Sequence, residues 1–550
     1  MRTALLFAAR AAAALSFAGL ALRAAADPPA RPTSPEIWIK SGAYIPGFNA
    51  PIDNMWVVDA PWPRVAARVR VAGFPPGNIE RAKDVELQAA FVGMKQRGIA
   101  LGLGTGLLTR SDRCRAHNEA MASPGELEQM LLKIRRDGGD LRYIAMDEPY
   151  YFGHRDASGC HQSAAELAAE VAQSVATARR IFPSVQIGDI EVVGSSRPWI
   201  EELAAWADTY RRTTGEKLAF MQSDVQWSDL AMRNLRPLAT AMRDRGIPIS
   251  IIYNANVAAT TDASWETSAE GHIAQIETAL AIHPDIAAFD SWMKNPTHRL
   301  PETAPRTLTN LALRYVSRSA SALALTRRGN VVTGRLTGAE GRPVVGASVT
   351  VTAVDVGARM APTLRTLTGA VPANAVGALV GIRVDTDGAC VCDGKTSAVI
   401  GAIRYQETGT GRQQTIPPFG PSTKAPPSGL RTLELVPGQG FSPNLKQIPV
   451  TAGAAYTFEA PIAATASAEN AGYATAIFVD ASGKGISRTF LWFGPSRRDL
   501  GAARTDADGR FSLDLPGAIA AARPELRATF AGDAALRGAL AIVEPTPGDR

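Results

Sequence analysis

Strand-like and helix-like segments alternate along this chain from about residue 36 to residue 320, and this alternation constrains the fold more than any other feature. Eight strands are predicted, with about seven amphipathic helices between them. The predicted strands are Glu36–Gly42, Ala66–Gly73, Gly98–Leu103, the run that begins at Leu141, Val185–Val193, Lys217–Trp227, Ile247–Asn256 and Asp285–Met293. The count predicts a (β/α)8 TIM barrel over residues 36–325. A doubly wound open sheet is the alternative, but no strand–helix junction carries a Gly-rich phosphate loop.

Polar and aromatic residues collect where these predicted strands end. They are Asp147, Glu148, Asp189, Glu191, Gln222, Asp224, Trp227, Tyr253, Asn254, Asn256, Asp290 and Trp292. Barrel enzymes place their active sites at the C-terminal ends of the strands. A purely structural barrel would not need six acids there, because each buried carboxylate must be paired or hydrated. The pattern therefore predicts a catalytic or binding site at this end.

The stretch Leu141–Phe152, LRYIAMDEPYYF, is the centre of that pattern. Its apolar run ends in Asp147 and Glu148, Pro149 stops the strand, and three aromatic residues follow. Aromatic rings supply apolar faces for sugar rings, and a carboxyl buried beside them has a raised pKa. The stretch therefore indicates acid/base chemistry on a sugar. The structural alternative is a strand end whose Asp caps the next loop or helix.

Strand parity predicts which of these side chains face the barrel mouth. In VQIGDIEVV, Asp189 and Glu191 share one face, and we expect that face to point inward while the apolar face meets the helices. Gln222 and Asp224 likewise share a face. Asp147 is predicted to point inward, whereas strict alternation points Glu148 away from the mouth.

The barrel half resembles the retaining glycosidases of the large barrel clan. In that clan the fourth strand ends in Asn-Glu-Pro or Asp-Glu-Pro, and here Asp147, Glu148 and Pro149 end the fourth predicted strand. The resemblance implies that Glu148 is the general acid/base. The clan's nucleophile Glu ends the seventh strand, but that strand reads IIYNAN and has no acid. Glu191 is the substitute and Asp224 the runner-up, so the chain looks like a member of a divergent or uncharacterised family.

Beyond residue 320 the helical periodicity is replaced by alternating strands rich in Gly, Pro, Thr and Val. Residues 328–360 and 500–546 resemble the two parts of a bacterial immunoglobulin-like or transthyretin-like sandwich. Residues 361–499 are predicted to be an inserted β-sandwich that resembles jelly-roll carbohydrate-binding modules. Phe490, Trp492 and Phe493 there are either a sugar platform or ordinary core aromatics. The predicted fold class is thus a TIM barrel followed by all-β sandwich domains.

The N-terminus has the pattern of a signal peptide over residues 1–26. Arg2 precedes an apolar run, and Ala24–Ala26 offers a small-residue cleavage site before Asp27. Residues 27–35 are predicted to be a disordered mature terminus, and no further membrane span is expected. A secreted, periplasmic or cell-surface protein can form disulfides, and we expect Cys114 to pair with Cys160. Cys390 and Cys392 are too close in sequence for an easy unstrained bridge.

Composition narrows the function classes. The net charge of +6 is spread over 550 residues without a dense basic block, which argues against nucleic-acid binding. No cofactor and no metal are predicted, although His117, His154 and His161 leave metal-dependent deacetylation as a third hypothesis. The sequence sets no oligomeric state.

The first hypothesis is a secreted glycoside hydrolase acting on a poly- or oligosaccharide. Glu148 would protonate the glycosidic oxygen, Glu191 would attack or activate water, and Asp147 completes the catalytic set. The predicted substrate-binding residues are Asp189, Gln222, Asp224, Tyr253, Asn254 and Trp292. The second hypothesis is a non-catalytic glycan-binding or cell-surface protein that uses the barrel as a scaffold.

Overall fold

The protein is described here by a computed structural model. The residues that the structure describes are 34–42, 50–52, 54–109, 118–123, 125–155, 160–194, 196–257, 259–354, 363–384, 397–416, 431–434, 440–441, 448–465, 472–493 and 497–544. Cys114, Cys390 and Cys392 lie outside this range, so the Cys114–Cys160 bridge stays a prediction.

The predicted barrel is confirmed, because all eight predicted strands pair in parallel and in chain order to form a closed barrel. The strands are β1 (Glu36–Lys40), β2 (Val69–Phe74), β3 (Ala100–Thr105), β4 (Leu141–Asp147), β5 (Gln186–Val193), β6 (Met221–Val225), β7 (Ile249–Tyr253) and β8 (Ile286–Phe289). The strand that ends at Asp147 is therefore the fourth of eight. A short parallel pair, Leu108–Thr109 with Met121–Ala122, follows β3.

Seven principal helices surround the barrel. They are α1 (Asp84–Gln96), α2 (Glu126–Arg136), α3 (Ala164–Ile181), α4 (Arg197–Thr214), α5 (Asp229–Asp244), α6 (Asp262–Ala274) and α7 (Leu308–Ser317). Shorter helical turns occupy Asn54–Trp56, Pro63–Ala66, Pro76–Arg81, Tyr151–Arg155 and Gln275–Ala279. Helix α3 begins at a capping box, in which the Ser163 backbone N–H donates to the Glu166 carboxylate at 2.8 Å. Among the described residues, no helix is long and apolar enough to cross a membrane.

The interior of the barrel is filled by an apolar layer that we call the interior plug. It consists of Trp38, Val71, Ala145, Ile190, Phe220, Ile252, Ile286 and Ala288. The Trp38 and Phe220 rings meet edge to face with their centroids 4.9 Å apart. Gly188 makes room for this contact, because a Cβ at that position would lie 2.2 Å from the Phe220 ring. Below its mouth the barrel is therefore a packed core, as is usual for this fold.

Two β-sandwiches follow the barrel. One pairs a three-stranded sheet with a four-stranded sheet, around a core that includes Val349, Val351 and Phe511. Its strands are Ala322–Arg328, Val331–Thr337 and Arg510–Asp514 in the first sheet, and Ser348–Val354, Arg497–Arg504, Glu525–Phe530 and Ala539–Val543 in the second. A short 3-10 turn, Ala339–Gly341, and a short helix, Gly517–Ala522, connect strands of this sandwich.

The other sandwich is built from the segment between Ser348–Val354 and Arg497–Arg504, two paired strands of the second sheet. One of its sheets contains Thr363–Ala370, Ser397–Ile400, Ile403–Glu407, Gln413–Ile416, Arg431–Glu434 and Ala455–Thr465. The other contains Gly377–Val384, Gly440–Phe441, Ile448–Pro449, Gly472–Val479 and Gly485–Phe493. Its core includes Tyr405, Phe458 and Phe478. The side chains of Phe490, Trp492 and Phe493 lie outside the described part of the chain, so their predicted role is not decided.

A buried polar network, centred on Glu277, joins the barrel to the first sandwich. One carboxylate oxygen of Glu277 accepts hydrogen bonds from the hydroxyls of Tyr253 and Tyr315, at 2.6 and 2.7 Å. The other accepts from the Arg537 guanidinium at 2.9 Å, and that guanidinium lies 4.4 Å from the centroid of the Tyr315 ring. Arg537 belongs to the sandwich, whereas the other three residues belong to the barrel. The network therefore connects the end of β7 to the sandwich through one carboxylate.

Replacing Glu277 by Ala should destabilise the protein, because it leaves a partly buried guanidinium and two buried phenol hydroxyls without their acceptor. We expect the free energy of unfolding to fall by about 3–5 kcal/mol, measured by urea denaturation. Glu201→Ala is the matched control, since Glu201 is exposed on α4 and pairs only loosely with Arg197. That control should change stability by less than about 0.5 kcal/mol. Equal losses for the two variants would contradict the importance of the network.

Candidate active site

The mouth of the barrel holds three charged side chains from its first, fourth and last strands. Asp147 is in register with Ile190 of the interior plug, so it faces inward as predicted. Lys40 follows Trp38 at an even spacing on β1, and its ammonium lies 3.5 Å from the Asp290 carboxylate. Burial raises the pKa of Asp147 to about 6, with Glu119 and Asp290 adding to the effect and Lys40 opposing it. The mouth therefore contains a carboxyl that changes protonation in mildly acidic solution.

Glu148 is nearly fully buried at the start of the turn that follows β4. Its φ of 52° is in the left-handed region, so the strict alternation that points its side chain away from the mouth ends at this residue. Its backbone N–H donates to the Ile190 carbonyl at 2.9 Å, which extends the β4–β5 ladder by one residue. Burial is the largest cause of a strongly raised Glu148 pKa, and the nearby carboxylate of Asp224 is the next. The Glu148 carboxyl therefore keeps its proton at a higher pH than an exposed glutamic acid does.

Gln222 and Asp224 lie on the inward face of β6. Gln222 is in register with Ile190, and Asp224 is two residues further along the same face. The Gln222 amide donates to the Ser250 hydroxyl at 2.9 Å. Asp224 is half-buried at the mouth, where its charge acts on Glu148. The structure thus brings Asp224, Asp147 and Glu148 together.

The predicted orientation of Asp189 and Glu191 is wrong, because both side chains face the helices. Asp189 accepts a hydrogen bond from the indole N–H of Trp206 on α4 at 2.7 Å. Glu191 accepts from the backbone N–H groups of Tyr150 and Tyr151, at 2.6 and 3.1 Å. Both carboxyls are completely buried, and burial raises the pKa of each.

The reason lies in the interior plug. The prediction assigned the apolar face of β5 to the helices, but both faces of a strand in this barrel are buried. Ile190 belongs to the plug, and Gly188 on the same face lies against Phe220. The opposite face, which carries the two acids, consequently meets α4 and the turn after β4.

The remaining predicted substrate-binding residues divide between the two sides of the barrel wall. Tyr253 faces the helices and is bound to Glu277, so its expected position at the mouth is wrong. Asn254 follows it and is buried, and its carboxamide nitrogen has no hydrogen-bond partner among the described residues. Trp292 is 37% exposed just beyond Asp290. Asn254 and Trp292 therefore remain candidates for contact with a ligand.

Three residues near this site were not predicted from the sequence. Lys40 carries a detectable signal, since it shares the face of Trp38 in EIWIK and ends the first strand. Glu119 is placed by the loop after β3, and no periodic pattern marks it. His272 on α6 stacks on Trp227 with ring centroids 3.7 Å apart, and its Nδ1 donates to the Asn254 carbonyl at 2.7 Å.

Of the three histidines considered for metal binding, the structure describes His154 and His161. The Nδ1–H of His154 donates to the Gln162 carbonyl at 2.6 Å, and its ring stacks on Tyr150. His117 lies outside the described residues. Within the described part of the chain, no group of three or more His, Cys, Asp or Glu side chains is placed to hold a metal ion.

Comparison with known proteins gives likeness in structure only. No protein-family model and no curated protein matches the sequence. Similar solved structures include xylanase 10C from Cellvibrio japonicus, which is 10% identical with a TM-score of 0.33 over 48% of this chain and 64% of that chain. BuGH86 in complex with neoagarooctaose is 10% identical with a TM-score of 0.33, over 78% of this chain and 92% of that chain. An α-L-arabinofuranosidase from Thermotoga maritima is 11% identical with a TM-score of 0.30, over 72% and 88%.

At these identities and TM-scores the likeness carries no argument about substrate or mechanism. The match spans less than two thirds of the xylanase chain. The barrel itself is established by the pairing of its own eight strands. The side chains at its mouth are therefore the basis for any statement about chemistry.

The Asp147 carboxyl should make stability depend on pH. Its folded-state pKa of about 6 lies above the unfolded value near 4, so its contribution to stability is complete below about pH 4 and is lost between pH 4 and 6. Asp147→Asn should remove this decline and be more stable than the wild type at pH 7, by an amount on the order of 2 kcal/mol. Thermal midpoints from pH 4 to pH 8 measure the difference.

Asp140→Asn is the matched control, because Asp140 precedes the same strand but is exposed beside Arg142. Its pH profile should follow that of the wild type. Parallel profiles for Asp147→Asn and the wild type would contradict a raised Asp147 pKa.

Proposed function

We propose that this protein is a glycoside hydrolase that cleaves a poly- or oligosaccharide at the C-terminal mouth of its barrel. The observation that carries the proposal is the burial of the Glu148 carboxyl beside Asp224 and Asp147. Glycosidic bonds are cleaved by a pair of carboxyl groups, one of which must be protonated while the other is ionised. Environments that separate the pKa values of neighbouring acids provide that asymmetry.

Glu148 is the general acid. Its raised pKa favours the protonated carboxyl, and the proton passes to the glycosidic oxygen as the bond from that oxygen to the anomeric carbon breaks. Asp147 precedes it in the chain and faces the mouth, where its charge also raises the Glu148 pKa. These two residues therefore form one acidic edge of the proposed site.

Asp224 is the better candidate for the second carboxylate, which attacks the anomeric carbon or activates water. It is half-buried and faces the mouth from β6. Glu191, the first choice from the sequence, is fully buried on the other side of β5, with both carboxylate oxygens bound to backbone N–H groups. A sugar at the mouth would contact Asp224 without crossing the barrel wall.

The sugar would be held by side chains that line the same end. Trp292 is exposed and offers an apolar ring face, and Trp227 is half-buried against His272. The buried Asn254 carboxamide offers a donor, and such a group is costly to leave unpaired. A ligand hydroxyl would satisfy it.

Replacing Glu148 by Gln should abolish hydrolysis while leaving the fold intact. Removing a general acid typically costs about 10²–10⁴-fold in rate, so we expect kcat/KM to fall within about that range. The substrate is found first by screening the purified protein against plant, algal and microbial polysaccharides with a reducing-sugar assay. Glu201→Gln, a change of an exposed acid on α4, should keep full activity.

The same screen separates hydrolysis from simple binding. Hydrolysis that survives Glu148→Gln would contradict the proposed acid. A wild type that binds a polysaccharide but releases no reducing ends from it would support the alternative, a non-catalytic glycan-binding protein. Circular dichroism and the thermal midpoint of each variant check that the fold is kept.

Export is part of the proposal. Residues 1–26 have the charge and hydropathy pattern of a signal peptide, and export would allow Cys114 to pair with Cys160. Expression of the full chain in a bacterial host should yield an exported protein that begins at Asp27, measured by intact mass. Non-reducing peptide mapping should show Cys114 linked to Cys160, and a retained leader or two free thiols would contradict these expectations.

A further inference from the structure

The turn that carries Glu148 has a backbone conformation that must be held by its surroundings. Glu148 is not a glycine, yet its φ is 52°. Such a conformation is unfavourable for a residue with a side chain and persists where neighbouring contacts fix it. The proposed general acid therefore depends on whatever holds the residues that follow it.

Glu191 provides that contact. One of its carboxylate oxygens accepts the Tyr150 N–H at 2.6 Å and the other accepts the Tyr151 N–H at 3.1 Å. These are the second and third residues after Glu148, at the start of the helical turn Tyr151–Arg155. A buried carboxyl group that accepts one backbone N–H at each of its two oxygens fixes both donors, because a buried donor that loses its acceptor is costly.

The side chain of Tyr150 is fixed as well. Its ring lies nearly parallel to those of Trp199 and Trp206, with centroids 5.4 Å away in each case. Trp206 is in turn bound to Asp189. The backbone and the ring of Tyr150 are thus both anchored to β5 and α4, one residue beyond Pro149.

We propose that Glu191 is a positioning residue that holds the left-handed turn at Glu148 and so sets the direction of the Glu148 carboxyl. This inference rests on the proposed function, in which Glu148 is the general acid. Glu191 does not touch the substrate and acts through Glu148. This role replaces the one predicted from the sequence, in which Glu191 is the nucleophile.

The first measurement needs no substrate. Hydrogen–deuterium exchange of the full chain, followed by mass spectrometry, reports on the amides of residues 150–155. In Glu191→Gln one carboxylate oxygen becomes an amide nitrogen that cannot accept a hydrogen bond, so exchange there should be at least about 10-fold faster than in the wild type. Asp189→Asn is the matched control on the same face of β5, and it keeps an acceptor for Trp206, so exchange in that segment should be unchanged.

Glu191→Asp is the second variant and keeps the carboxyl group. Its shorter side chain cannot reach both N–H groups, so it should give an intermediate increase in exchange. It also serves if Glu191→Gln fails to fold. Unchanged exchange at residues 150–155 in a folded Glu191 variant would overturn the proposal.

The second measurement separates positioning from nucleophilic attack. The probes are phenyl and 2,4-dinitrophenyl glycosides of glucose, galactose, mannose, xylose and arabinose. A dinitrophenolate leaves without protonation, so a defect that acts through Glu148 should be largest for the phenyl series and small for the dinitrophenyl series. We expect Glu191→Gln to lose about 100-fold in kcat on phenyl glycosides, which is the scale of a misplaced catalytic group.

Equal losses on both series of glycosides would place Glu191 in bond formation at the sugar and overturn the proposal. Faster exchange together with a leaving-group-dependent loss supports it. A third outcome is that the wild type cleaves none of the glycosides or polysaccharides, while exchange is still faster in the Glu191 variants. That result supports the role of Glu191 in holding the turn and counts against the proposed function. The role of Glu191 and the proposed hydrolase function can therefore be contradicted independently of each other.

Discussion

Closure of the barrel buries both faces of every strand, and the character of the site follows from that constraint. The inner faces below the mouth are filled by the interior plug, in which Phe220 lies over Gly188 and against Trp38. The charged side chains that face inward lie at the ends of the strands, where Asp147 and Asp224 are found. Acids on the outer faces are sealed between strands and helices, where each must find a donor.

The fold was predictable because its signal repeats. Eight apolar runs, separated by amphipathic stretches, specify strand after strand, and an error in the bounds of one run does not change the count. The same holds for the position of Asp147 and Glu148 at the end of β4. The inward orientation of a side chain was predictable where its face of the strand continues to the barrel mouth, as it does for Asp147 and Asp224.

The orientation of Asp189 and Glu191 was not predictable from parity alone, because parity groups residues without saying which group is inside. Two facts decide the orientation. Gly188 on β5 makes room for the ring of Phe220, the residue before β6. The hydrogen-bond donors to the two acids, an indole and two backbone N–H groups, come from other elements. The predicted position of Tyr253 was wrong for a similar reason, because its hydrogen-bond partner Glu277 lies 24 residues further along the chain. Glu119 and His272 depend on loop and helix placement, which no local pattern encodes. The rule that emerges is that an acid at a barrel strand end needs its hydrogen-bond donors identified before it is assigned to the mouth.

The Glu277 network has a consequence for how this chain can be rearranged. A module attached by a linker can be removed or exchanged without disturbing its neighbour, but here the sandwich supplies the only guanidinium that the described contacts place on the Glu277 carboxylate. A chimera that carries a foreign sandwich would need an arginine at the place of Arg537, or it would leave a barrel carboxylate buried without its cation. The architecture therefore changes near residue 320, but the protein cannot be divided there without breaking this network.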